Sequence, residues 1–83
     1  MLRILFFGRL GDIAGCESRD LPYDGAIATV AVLRDRLGAG NEALARALAE
    51  PQVMVAVNQQ LVDWDCSLQQ GDEIAFLPPV TGG

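Results

Sequence analysis

The chain contains no lysine and no histidine; all six basic residues are arginine. Without histidine it lacks the usual general base and the commonest metal ligand. Without lysine it has no side-chain amine, so it cannot build lysine-linked polymers of itself. Only two cysteines occur, Cys16 and Cys66, far apart and without C-x-x-C spacing. That spacing argues against a metal site. The count permits one disulfide, but Met1-Leu2-Arg3-Ile4 does not open a signal-peptide pattern. The expectation is a cytoplasmic protein with two free thiols that pack or sit in loops rather than act as nucleophiles, with no basic activator expected beside either. No apolar run approaches the roughly 20 residues of a membrane helix, so no membrane partner is expected. Basic charge is also scarce: the net charge is -5 and the pI about 4.3. Neutralising phosphates needs a basic face, which argues against nucleic acid.

What is present is enough for one domain. The 83 residues are 51% hydrophobic, which is ample for a small core. Leu2 to Phe7 forms an apolar run closed by Gly8, the pattern of a strand at the centre of a sheet. Gly11-Asp12 and Gly15 mark a loop, and Glu17 to Leu21 reads as a second, more polar strand. Thr29 can cap a helix with Val30, Leu33 and Leu37 on one face. After Gly38-Ala39-Gly40, Asn41 can cap a second, Ala/Leu-rich helix that Pro51 closes. Val53, Val55 and Val57 recur at period two in the clearest strand. Asn58-Gln59 makes a turn into a short strand at Leu61-Val62, and Asp63-Trp64-Asp65 turns again. The last strand runs from Glu73 to Leu77. The order is ββαα-ββ-β, an α+β layout with helices packed on one face of a mixed sheet. The first and last strands are the most apolar and belong side by side at its centre.

The clustered carboxylates Asp63, Asp65, Asp72 and Glu73 fit turn and strand-opening positions better than an acid/base pair. Gly8, Gly11 and Gly15 are not spaced as a nucleotide fingerprint, and there is no P-loop and no triad. The distinctive segment is Pro78-Pro79-Val80-Thr81-Gly82-Gly83. Two prolines fix φ and cannot donate to a sheet, so the chain must leave the last strand there. The division expected is a folded body over 1–77 and a flexible tail over 78–83. Extended, that tail spans roughly 20 Å. Glycines without Cβ make its end thin enough to thread a narrow channel.

Two further stretches make the pattern specific alongside the tail: Val57-Asn58-Gln59-Gln60-Leu61-Val62, then Leu68-Gln69-Gln70-Gly71-Asp72-Glu73-Ile74-Ala75-Phe76. Together with Ile4-Leu5-Phe6-Phe7-Gly8 they resemble the small subunit of molybdopterin synthase, the MoaD family, over essentially the whole chain. The resemblance implies a β-grasp, ubiquitin-like fold. It also implies a sulfur carrier. An E1-like adenylating enzyme would use ATP to convert Gly83 to a glycyl adenylate, and a sulfurtransferase would supply the sulfur that turns it into a 1-thioglycine. The sulfur would pass to cyclic pyranopterin monophosphate inside the large subunit of molybdopterin synthase, in a heterotetramer of two small and two large subunits. On this reading Pro78, Pro79, Val80, Thr81 and Gly82 thread into the partner, and the chain itself binds no cofactor or metal.

The partner surface follows from strand periodicity. Phe6 and Phe7 point to opposite faces, as do Phe76 and Leu77. If Ile4, Phe6, Ile74 and Phe76 form the core, then Phe7 and Leu77 lie on the open face, with Leu61 beside them. An apolar patch at the root of the tail is an expected docking site. Three rivals share some of these features: a thiamine-pathway sulfur carrier, a ubiquitin-like protein modifier, and an interaction module with no tail chemistry.

Overall fold

A computed structural model describes residues 1–79 of the chain. Its elements are β1 (Leu2–Phe6), α1 (Arg9–Ala14), β2 (Ser18–Leu21), α2 (Val30–Gly38), α3 (Glu42–Leu48), β3 (Met54–Val57), β4 (Gln60–Val62) and β5 (Glu73–Leu77). The five strands form one sheet in the order β2-β1-β5-β3-β4. β1 runs parallel to β5, with Ile4 opposite Ile74 and Phe6 opposite Phe76. The other pairings are antiparallel, so the sheet is mixed, as expected for a β-grasp fold. The first and last strands do lie side by side, with β5 at the centre.

One element departs from the sequence reading. Residues 9–14, expected as a loop, form α1. Gly11 reads as a loop marker in the sequence, yet it sits inside this helix because of close packing: a Cβ there would lie 3.2 Å from the Phe6 carbonyl oxygen. Leu10 is fully buried and Ile13 packs on the core, which holds so short a helix in place. The element order is therefore βαβααβββ.

The helix signals are realised locally. Thr29 Oγ1 accepts from Val32 N at 3.3 Å, and Asn41 Oδ1 accepts from Leu44 N at 3.1 Å. The turn after β4 completes the start of α2: Val30 N donates to the Cys66 carbonyl and Ala31 N to the Trp64 carbonyl, at 3.1 and 2.8 Å. Three free donors of the helix start are thus satisfied. Val30, Leu33 and Leu37 face the core, as do Leu44, Ala47 and Leu48 of α3. They meet Leu2, Ile4, Phe6, Val55, Ile74 and Phe76 from the sheet in a single cluster.

Asp72 and Glu73 serve the opening of β5. Asp72 Oδ1 accepts from Asn58 Nδ2 at 3.0 Å, Asp72 Oδ2 from Gln69 N at 2.8 Å, and Glu73 N donates to Asn58 Oδ1 at 3.1 Å. Asn58 and Gln59 both have positive φ, 51° and 71°, in the two-residue turn that joins β3 to β4. Asn tolerates that conformation, whereas Gln is strained there. Gln59→Gly is therefore expected to raise stability by about 0.5–1 kcal/mol, read as a higher urea midpoint at unchanged slope.

Candidate functional site

The sheet has one face under the helices and one without a cover. Along β1 the exposure alternates, with Leu2, Ile4 and Phe6 buried and Arg3 exposed. Along β5, Ile74 and Phe76 are buried while Glu73, Ala75 and Leu77 are half-buried. The strand register places Leu5 beside Ala75, Ala75 beside Ala56, Ala56 beside Leu61, and Leu77 beside Met54. These side chains make an apolar strip across the open face. Its most exposed members are Leu61 at 59%, Met54 at 48% and Phe7 at 46%. The strip gives way to charge at its far end, where Arg3 and Asp20 pair across β1 and β2 at 3.7 Å. Both are well exposed, so that pair adds little stability.

The three patch residues Phe7, Leu61 and Leu77 thus lie on one face, with Leu77 less exposed than the other two. Sequence reasoning missed Met54. Its period-two position between buried Val53 and Val55 put it on the open face. Only the pairing of β3 with β5 brings it next to Leu77.

The root of the tail is held at the same edge of this face. Phe7 N donates to the Phe76 carbonyl at 3.1 Å, extending the β1–β5 ladder by one bond. The chain then turns sharply at Gly8, whose φ of 56° and ψ of -138° no side-chain-bearing residue adopts readily. Pro78 lies over that bare backbone; a Cβ on Gly8 would come within 3.0 Å of Pro78 Cγ. Pro78 and Pro79 are both half-buried. Val80, Thr81, Gly82 and Gly83, the remaining tail residues of the sequence reading, lie outside the described residues.

Behind the root, an aromatic stack fixes β5 from the core side. Phe76 stacks on Phe6 with centroids 5.9 Å apart and on Trp64 at 6.1 Å, with interplanar angles of 18° and 19°. Arg34 sits 4.6 Å over the Trp64 ring and Arg19 5.8 Å over Phe6, so a cation closes each end. A groove of about 800 Å³ flanks the root, lined by Leu5, Phe7, Gly8, Asp12, Cys16 and Glu17 among others. Cys16 does have a basic neighbour: Arg19 Nη2 lies 3.9 Å from its Sγ. Arg19 is only three residues along the chain, so this neighbour was open to the sequence reading, which overlooked it. Both thiols are free and half-buried. Among the described residues, no group of three or more Cys, Asp or Glu is placed to hold a metal ion. Nor is any described helix long and apolar enough to cross a membrane.

The ThiS family model matches residues 4–83. The molybdopterin synthase sulfur carrier subunit of Escherichia coli is 40% identical over 83 residues, the full length of both chains. Among solved structures, SAMP1 from Haloferax volcanii superposes with a TM-score of 0.82 at 28% identity, covering 99% of this chain and 98% of its own. Subunits 1 and 2 of the molybdopterin-converting factor from Helicobacter pylori have been solved as a protein–protein complex. A chain of that complex matches with a TM-score of 0.67 at 28% identity, covering 99% of this chain and 97% of its own.

The two faces make a direct prediction. Phe7→Ser is expected to cost less than about 1 kcal/mol of folding stability, because the ring is already half in water. Phe76→Ala is expected to cost about 3–5 kcal/mol through loss of a fully buried ring. Urea unfolding of the two variants checks the difference, and equal losses would mean the open face is not open.

Proposed function

The chain belongs to the ThiS family, and from that membership we propose that it is the sulfur-carrier subunit of molybdopterin synthase. The observation that carries this reading is the 40% identity to the Escherichia coli carrier subunit over the whole of both chains. The geometry supports it, since an uncovered apolar face ends where Pro78 and Pro79 lead the chain away from the sheet. On this reading residues 1–77 are the folded body and residues 78–83 the working tail.

The chemistry belongs to the carboxylate of Gly83. A carboxylate resists attack because its charge is delocalised and its leaving group would be oxide. An E1-like enzyme joins it to AMP from ATP, with release of pyrophosphate, and so provides a phosphate leaving group. A sulfurtransferase supplies sulfur that displaces AMP and leaves a thiocarboxylate. That sulfur is a soft nucleophile, as thiolates are. It is transferred to cyclic pyranopterin monophosphate in the large subunit, water takes up the acyl group to regenerate the Gly83 carboxylate, and two such transfers supply the two sulfurs of the dithiolene. The small chain presents the group and supplies no acid, base or nucleotide pocket. Phe7, Leu61 and Leu77, joined by Met54, form the surface that docks on the large subunit in a heterotetramer. The complex of the two Helicobacter pylori subunits supports a partner of this kind. The protein works in the cytoplasm, where both thiols stay reduced.

The likeness to SAMP1, a small archaeal modifier protein, favours a second reading in which the tail is conjugated to amines. A thiamine-pathway carrier is the third. Intact mass after isolation from cells separates carrier from modifier, by a terminal sulfur as against a covalent conjugate. Turnover with each cognate large enzyme separates the two carrier pathways.

Two outcomes are expected. Deleting Gly82 and Gly83 leaves the circular dichroism and the melt unchanged but abolishes molybdopterin formation; activity surviving the deletion would sink the carrier reading. Leu77→Asp weakens titrated binding to the large subunit by several kcal/mol, because a carboxylate is desolvated without a partner. The same change shifts the melt of the free chain by only a few degrees, about 1 kcal/mol or less. A collapsed melt with normal binding would move the docking role to the opposite face.

A further inference from the structure

The chain has two methionines, Met1 and Met54. Met1 is 56% exposed and stands at the start of β1, where its carbonyl accepts from Gly71 N at 3.0 Å. That is the end of the sheet remote from the tail, because β1 and β5 run parallel and the tail leaves the far end of β5. Met54 is 48% exposed and lies on the open apolar face, as the direct strand partner of Leu77. Its immediate neighbours along β3, Val53 and Val55, are buried, so the thioether is the one part of this segment that meets solvent. The two thiols, Cys16 and Cys66, are half-buried and pack against the core cluster.

We propose that Met54 is a site of reversible oxidation by peroxide, and that its sulfoxide blocks docking of the free carrier on the large subunit. This rests on the docking face assigned above. The step balances simply. The thioether sulfur attacks one oxygen of hydrogen peroxide, the O–O bond breaks, sulfur is oxidised to the sulfoxide and water leaves. The product replaces a flexible apolar side chain with a polar, strongly accepting group. That oxygen loses its water on association, and its strand partner Leu77 and same-face neighbour Ala56 have no side-chain donor to offer it. Burying it unpaired weakens binding by at least about tenfold. The fold is spared, because the modified atom lies outside the core. A carrier already seated on its partner is protected, so the modification acts on the free pool. Reduction of the sulfoxide restores the contact.

The test uses the full chain and its large subunit. The carrier is treated with hydrogen peroxide, then with dithiothreitol to return any oxidised thiols, and the sites are located by peptide mass. The expected result is a gain of one oxygen at Met54 and at Met1, an unchanged melt, and binding weakened at least tenfold. Methionine sulfoxide reductase restores the affinity. Met54→Leu, whatever its own affinity, loses nothing further on the same treatment. Unchanged binding by chain oxidised at Met54 would overturn the proposal. So would an equal peroxide-induced loss in Met54→Leu, which would trace the effect to Met1 or a thiol. Leu77→Asp serves as the control for the face. If it weakens binding while Met54 sulfoxide does not, only this inference fails; if neither does, the docking face fails and the inference with it.

Discussion

The parallel pairing of β1 with β5 is the contact on which the rest of the molecule depends. It joins the two ends of the sequence, and one residue, Phe76, takes part in it three ways. Its ring is fully buried and stacks between Phe6 and Trp64. Its carbonyl accepts the Phe7 amide beyond the last paired residue. Its successors, Leu77 and Pro78, carry the chain onto the open face and over Gly8. A body this small buries only about three-fifths of its unfolded surface, so a large aromatic anchor at the central strand matters more than it would in a bigger domain.

That anchor also explains where the sheet pairing of the last strand stops. Every strand neighbour of β5 is satisfied up to Leu77, and the two prolines that follow have no amide hydrogen to continue either ladder. The sheet ladder therefore ends at a defined point, Leu77. The apolar strip of Leu61, Met54 and Phe7 meets that point on the uncovered face. On the proposed function, docking there holds the partner beside the root of the tail without asking the core to move.

The charge distribution fits the same division. The three ion pairs among the described residues, Arg3–Asp20, Arg9–Glu50 and Arg46–Glu42, are all exposed, and none lies within the apolar strip. Surface pairs of this kind contribute little to folding and more to solubility. The two arginines that do bear on structure, Arg34 and Arg19, act through aromatic faces. Guanidinium planes stack in this way and ammonium groups do so less well, which suits a chain whose cations are all arginine.

Much of this was legible in the chain order. The caps at Thr29 and Asn41, the turn at Asn58-Gln59, the buried faces of α2 and β3, and the assignment of Phe6 and Phe7 to opposite faces all follow from spacing over a few residues. These are local properties, set by backbone sterics and by periods of two and 3.6. The family pattern in the last strand and tail pointed to a β-grasp carrier. Tertiary structure alone decided what lies beside what. α1 escaped notice because Gly11 signals a loop locally, whereas here it admits the Phe6 carbonyl. Met54 next to Leu77 and Arg34 over Trp64 are contacts between distant segments that strand pairing and helix packing create. Lateral adjacency in a sheet is chosen by the best burial of the whole chain, and no run of neighbouring residues encodes it.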